Sequence, residues 1–115
     1  MINPTDSVAE RRDALVGRLN GLGKAAVLAG TVDPAGFDFI ANATPSGMKD
    51  GDPLPVDVTR LAPSAYCGCV ITKPEIPPWI AEARKLGCVT ATGIDMYQQH
   101  QGIMVDFLLG VDGGR

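Results

Sequence analysis

The residues best placed to do chemistry form one short stretch, Asn42-Ala43-Thr44-Pro45-Ser46-Gly47-Met48, directly behind an apolar run. A buried strand would deliver this loop to a fixed place. Gly47 permits close backbone approach to a ligand, and Asn42 and Thr44 supply polar groups to hold one. The alternative is an Asn/Pro/Gly turn that merely connects two elements. A second set, Cys67, Cys69, Cys88 and His100, raises the question of a metal. Cys67 and Cys69 alternate onto one face of a strand, but the spacing matches no zinc pattern of the C-x-x-C kind, so no metal site is expected. Three cysteines without framework spacing fit a reducing compartment and free thiols.

The elements that must position these residues alternate in type. Residues 7–19 carry apolar side chains at helical spacing (Val8, Leu15, Val16, Leu19), with Asp6 or Ser7 as N-cap and Gly21 and Gly23 beyond the end. Residues 24–30 (KAAVLAG) and 37–43 (FDFIANA) are short apolar runs bounded by Gly, Pro and Asp, the pattern of strands buried in a parallel sheet. Residues 45–63 are rich in proline and turn residues, so they read as loop, with a short turn at 58–61. A further strand is expected over 66–72 (YCGCVIT), a helix over 79–86 stopped by Gly87, and a last short strand over 88–92. The closing helix is expected over 96–109 with Met96, Ile103, Met104, Phe107 and Leu108 turned inward, followed by a fraying tail at 110–115. This alternation argues for an α/β fold with a doubly wound parallel sheet.

At 115 residues the chain has room for one domain, and 45% apolar content is ordinary for a globular protein. The formal net charge is -3 and the charges are scattered, so a nucleic-acid partner is not expected. No apolar stretch approaches the roughly twenty residues that span a bilayer. Nothing after Met1 reads as a secretory signal, so no membrane association and a cytoplasmic location are expected.

Several segments together resemble one family. The loop at 42–48 is similar to the N-A-T-x-x-G-M loop of shikimate dehydrogenases. Asp52-Pro53-Leu54-Pro55, Val70-Ile71-Thr72-Lys73-Pro74, Ala83-Arg84-Lys85-Leu86-Gly87-Cys88 and Thr92-Gly93-Ile94-Asp95-Met96 follow in that family's order and approximate spacing. The likeness covers about residues 6–110 and implies the C-terminal part of an NAD(P)-binding domain, which in the whole enzyme serves aromatic amino acid biosynthesis. The resemblance implies that Asn42, Ala43, Thr44, Gly47 and Met48 pass beside the nicotinamide, at the carboxyl ends of the strands. It implies that Gly93 and Met96 lie against the same ring, unless they are only a helix-initiating turn and a core methionine. His100 stands where the family has a substrate-contacting Gln, or is simply a helix histidine among Gln98, Gln99 and Gln101. Asp6 matches a ribose-binding carboxylate and suggests NAD, whereas Arg11 falls where a basic residue would favour the 2′-phosphate of NADP. Both also read as ordinary residues of a helix start. The chain departs from the pattern at Cys69 (family Asp), Thr72 (Tyr), Pro77 (Thr) and Asp6-Ser7-Val8 (Asn-Arg-Thr).

No glycine-rich turn between a strand and a helix occurs in the sequence, and neither does the Lys/Asp pair that the family's substrate domain contributes. The expectation is therefore a partial Rossmann-like sheet lacking its first strand: a truncated copy or partial gene of an oxidoreductase that interconverts 3-dehydroshikimate and shikimate, or quinate or a related ring hydroxy acid. It would not catalyse alone. In strand order 3-2-1-4-5-6 the missing strand is central, so exposed edges and apolar faces would favour a homo-oligomer or a partner supplying the missing half. The competing expectation is a stand-alone, non-catalytic nucleotide-binding or interaction module.

Overall fold

The computed structural model describes residues 1–110; residues 111–115, and with them most of the tail expected to fray, lie outside the described residues. The chain divides into two compact units, Met1–Pro34 and Ala35–Arg115.

The first unit holds helix α1 (Ala9–Gly21). Its N-cap is Val8, in extended conformation, and not Asp6 or Ser7. Asp6 instead accepts the Val8 N–H on Oδ1 at 2.8 Å, closing an Asx-type turn just ahead of the helix. That competing side-chain bond moves the start by two residues. Gly23, at φ 63°, turns the chain out of the helix.

Residues 24–30 do not form the expected strand; they make a single parallel bridge, Ile2 to Val27. The Ile2 N–H donates to Ala26 O at 2.9 Å and the Leu28 N–H to Ile2 O at 3.1 Å, so the N–H and C=O of Val27 point the other way. The Asn20 side chain takes both: its Oδ1 accepts the Val27 N–H at 3.2 Å and its Nδ2 donates to Val27 O at 2.9 Å. A side-chain amide thus occupies the edge at which another strand would pair.

The second unit is built on three parallel strands in the order β1 (Phe39–Asn42), β2 (Tyr66–Cys69), β3 (Val89–Ala91), with Phe39 opposite Tyr66 and Tyr66 opposite Val89. This is the α/β parallel sheet expected from the sequence. Side chains alternate, so Ile40, Asn42, Cys67 and Cys69 share one face. Helix α2 (Pro78–Leu86) packs Trp79, Ile80 and Ala83 onto it, and Leu61, Ala65, Ile71 and Cys88 complete the core. Pro78 opens α2 where a missing N–H costs nothing, and Gly87 closes it in the left-handed conformation at φ 96°. A 3₁₀ turn at Val58–Arg60, capped by Asp57, stands where the short turn was expected.

The opposite sheet face is not covered in this way. Phe39 and Tyr66 lie side by side on it, rings stacked at 5.3 Å, with Phe39 61% exposed. Helix α3 (Gly93–Leu109) starts three residues before the expected position because Thr92 and Asp95 form a capping box. The Asp95 N–H donates to Thr92 Oγ1 at 3.2 Å and the Thr92 N–H to Asp95 Oδ2 at 2.8 Å. The expected inward stripe on α3 is not found. Met96, Ile103, Met104, Phe107 and Leu108 are all exposed, and only Gly93 of this helix is buried. The periodicity is helical as expected, but the residues of that stripe are 46% to 82% exposed.

Candidate functional site

The loop that follows β1 is ordered from within. Asn42, the last residue of β1, is 3% exposed and uses its whole amide inside the protein. Its Oδ1 accepts the Thr44 N–H at 3.0 Å and the Thr44 hydroxyl at 2.6 Å, while its Nδ2 donates to Ser46 O at 3.3 Å and to Cys69 Sγ at 3.5 Å. The Thr44 Oγ1 in turn accepts the Ser46 N–H at 3.2 Å. Further along, Asp52 Oδ2 accepts the N–H groups of Gly47 (3.0 Å) and Lys49 (3.1 Å). These two backbone bonds hold the Asp52 carboxyl below its ordinary range, Gly47 first. The Ser46 hydroxyl donates to Pro53 O, tying the loop's ends together.

Gly47 earns its place by conformation. It sits at φ 113°, the third residue of a turn in which the Met48 N–H donates to Pro45 O at 3.0 Å, a position that demands positive φ. It is also buried, with Ile71 and Pro77 side chains next to where a Cβ would stand.

The expected loop residues therefore divide. Asn42, Thr44 and Gly47 spend their polar groups or backbone on shaping the loop, and Ala43 and Met48 are the ones whose surfaces face outward. Ala43 and Asn42 border an open groove of about 510 Å³ whose other end is formed by Thr92, Asp95, Met96 and Gln99 and whose floor is Ala41, Gly68 and Ala91. The structure thus brings Asn42, Ala43 and Met96 together. Met48 and Gly47 border a separate cleft of about 400 Å³ with Lys49, Lys73 and Trp79. Gly93 lies buried at the turn into α3, its N–H donating to Ile71 O at 3.1 Å. A side chain there would collide with the Ile71 and Val70 carbonyls. His100 is exposed on α3, and its neighbour Gln99 is the residue that reaches the groove. Asp6 and Arg11 belong to the first unit, Asp6 engaged with Val8 and Arg11 exposed on α1.

Two residues that sequence reasoning missed as part of this site are Asp52 and Asp95. Each is a carboxylate that accepts backbone N–H groups at a turn, and Thr92-x-x-Asp95 carried the capping signal openly. The Asp95 carboxyl is held low, chiefly by the Thr92 N–H and then by the Thr92 hydroxyl. Cys67 and Cys69 do share a strand face, yet among the described residues no three His, Cys, Asp or Glu side chains gather to hold a metal ion. Cys88 donates to Ala62 O at 3.3 Å and Cys69 accepts from Asn42, so the thiols are spent on packing and local bonds.

No protein-family model matches the chain. Among curated proteins it is similar to the shikimate dehydrogenase (NADP(+)) of Rhodospirillum rubrum, 39% identical over 67 residues, which is 58% of this chain and 23% of that protein. The shikimate dehydrogenase (NADP(+)) of Paracoccus denitrificans is 37% identical over 57 residues, 50% of this chain and 20% of that protein. The chain thus spans about a quarter or less of the length of these relatives. Among solved structures, the quinate dehydrogenase of Corynebacterium glutamicum in complex with NAD superposes with a TM-score of 0.70 at 30% identity, over 81% of this chain and 35% of that one. A shikimate dehydrogenase in complex with NADP+ gives 0.74 at 25% identity, over 90% and 39%. The 5-ketofructose reductase of a Gluconobacter strain shares the fold at a TM-score of 0.75 and 24% identity, over 94% and 42%. In sequence and in its Rossmann-like fold, this chain is similar to the shikimate and quinate dehydrogenases over a part of their length.

Proposed function

We propose that the chain is the C-terminal portion of the NAD(P)-binding domain of a shikimate dehydrogenase-like oxidoreductase, one that interconverts 3-dehydroshikimate and shikimate in aromatic amino acid biosynthesis, and that it does not catalyse alone. The observation that carries this is the loop at 42–48: a preordered loop at the carboxyl end of a parallel strand, with outward Ala43 and a groove shared with Met96. Such a surface fits the flat nicotinamide end of NADP or NAD, away from the phosphates. The phosphates find no matching glycine-rich turn in these 115 residues, so the fit is to one end of the cofactor. When bound, the cofactor supplies hydride transfer. The chain's own residues would wall and orient the ring: Ala43 and Met96 line the groove that would hold it, Met48 ends the same loop beside the neighbouring cleft, and Asn42, Thr44, Gly47 and Gly93 hold the backbone in place. Asp6 and Arg11 are the residues proposed toward the adenosine ribose and its 2′-phosphate, and His100 toward the substrate ring acid. The free cysteines suit a cytoplasmic setting.

The test is titration of the chain with NADPH and NADH, followed by nicotinamide fluorescence, beside an assay of shikimate oxidation with NADP+. Binding weakened by Ala43→Glu, without turnover, is the expected result. Failure of both nucleotides to bind, or binding indifferent to Ala43→Glu, overturns the reading. The second reading, a non-catalytic interaction module, is favoured by the uncovered sheet face and the exposed apolar side chains of α3.

A further inference from the structure

The cleft of about 400 Å³ beside Gly47 gathers hydrogen-bond donors that have no acceptor among the described residues. Its walls come from one stretch of the second unit, residues 47–79, and it shares no lining residue with the groove beside Ala43. Trp79, one of these walls, is 0% exposed. A buried indole ordinarily gives its N–H to an acceptor. The Trp79 Nε1 has none among the described residues. An unsatisfied buried donor costs stability, which an acceptor entering from the cleft would restore.

The start of α2 adds two more donors at the same place. Pro78 has no N–H, Pro77 supplies no side-chain cap, and the Ala81 N–H is the first to find an acceptor, Pro77 O at 3.1 Å. The backbone N–H groups of Trp79 and Ile80 are therefore left open at the positive end of the helix dipole. Lys73, an exposed lining residue, has neither a hydrogen bond nor an ion pair among the described residues.

The acids of the cleft do not consume this set. Asp52 Oδ2 is taken by the N–H groups of Gly47 and Lys49, and the Lys49 charge acts on it as well. Asp50 is exposed to solvent, which screens it. Donors without acceptors call for a ligand that only accepts. We propose that this cleft binds the oxyanion group of a small molecule, a carboxylate or a phosphate, held by the Trp79 indole N–H, the start of α2 and Lys73. The ligand's apolar part would lie against Leu54 and Pro55, in a volume within the range of small-molecule pockets. Because the lining is separate from that of the nicotinamide groove, either reading can fail without the other.

Trp79 is the chain's only tryptophan, so its indole N–H gives a single resonance in a nitrogen–proton correlation spectrum of the full chain. The spectrum is followed while inorganic phosphate or sodium benzoate is added, with ionic strength held constant by sodium chloride. A saturable downfield shift of the indole resonance is expected. Lys73→Gln should raise the dissociation constant roughly fivefold or more, while Lys24→Gln, in the first unit, should leave it unchanged. Lys73 is exposed, so circular dichroism should not change with its substitution. Tighter binding of benzoate than of phosphate identifies a carboxylate with an apolar body, and the reverse identifies a phosphate group. An indole resonance that stays fixed, drifts without saturating, or saturates with the same dissociation constant in Lys73→Gln means an adventitious ion only, and overturns the proposal.

Discussion

Asn42 and Thr44 hold each other: the Thr44 hydroxyl and N–H both point at Asn42 Oδ1, at 2.6 and 3.0 Å, while the Asn42 amide nitrogen faces Ser46 O and Cys69 Sγ. An Asn can do both jobs and an Asp cannot, because a carboxylate only accepts. Asn42→Asp should therefore leave Ser46 O and Cys69 Sγ without their donor and place a charge at a site 3% exposed. The expected loss is about 2 to 4 kcal/mol in urea-induced unfolding. A variant as stable as the parent would show that the amide does not organise the loop.

Acid should loosen the same loop from its other end. The carboxyls of Asp52 and Asp95 are held low by the backbone N–H groups they accept, so each favours its ionised form when folded. A depressed folded value contributes stability above the unfolded value, and that contribution is lost as pH falls through the folded one. The window lies below the ordinary aspartate range, about 3.9. Amide hydrogen exchange at Gly47, Lys49 and Thr92, corrected for intrinsic rates, should speed up there relative to the β2 amides. Asp52→Asn should show the faster exchange at Gly47 and Lys49 already at neutral pH.

How much of this was legible in the sequence depended on whether the deciding interaction was local. The β1, β2 and α2 positions followed from apolar runs and from Pro78 and Gly87, whose effects are fixed by their own backbone chemistry. The start of α3 is legible in Thr92-x-x-Asp95, a local cap that lies ahead of the apolar spacing, which begins only at Met96. The failed strand at 24–30 was not legible. It depends on Asn20, seven residues before Val27, bending its amide onto that edge. The exposed stripe of α3 was equally hidden, since a pattern shows which face is apolar and not whether anything covers it. At the loop, the sequence pointed to the right segment, while the internal engagement of Asn42 and Thr44 needed coordinates.

Gly93 is expected to be irreplaceable for a packing reason. Its N–H reaches Ile71 O, and a Cβ would strike the carbonyls of Ile71 and Val70, which are backbone atoms with no rotamer to change. Gly93→Ala must push α3 away from the end of β2 and should cost about 2 kcal/mol or more. The contrast is Gly17→Ala, where nothing stands within 4 Å of the new carbon in the middle of α1. There the gain in helix propensity should be on the order of 1 kcal/mol. Thermal unfolding of both variants checks the pair; equal effects would mean the close approach at Gly93 is absent in solution.

Burial gives Cys67 the opposite sense of titration from the aspartates. Desolvation, reinforced by the neighbouring Cys88, pushes its thiol up to about 12. With the folded value above the unfolded one, near 8.5, the stabilising effect of the neutral thiol is complete below the unfolded value. It is lost as pH rises toward the folded one, because only the unfolded chain then gives up its proton cheaply. Under reducing conditions the urea midpoint should therefore fall between neutral pH and about pH 10. Cys67→Ala should lower the midpoint at neutral pH by leaving a small cavity, yet make it fall less with pH than the parent. Native Cys67, fully buried, should also react with a thiol reagent only as fast as the chain unfolds. Prompt labelling of Cys67 in the folded protein, or a midpoint whose pH dependence is unchanged by the alanine, would contradict its place at the centre of the core.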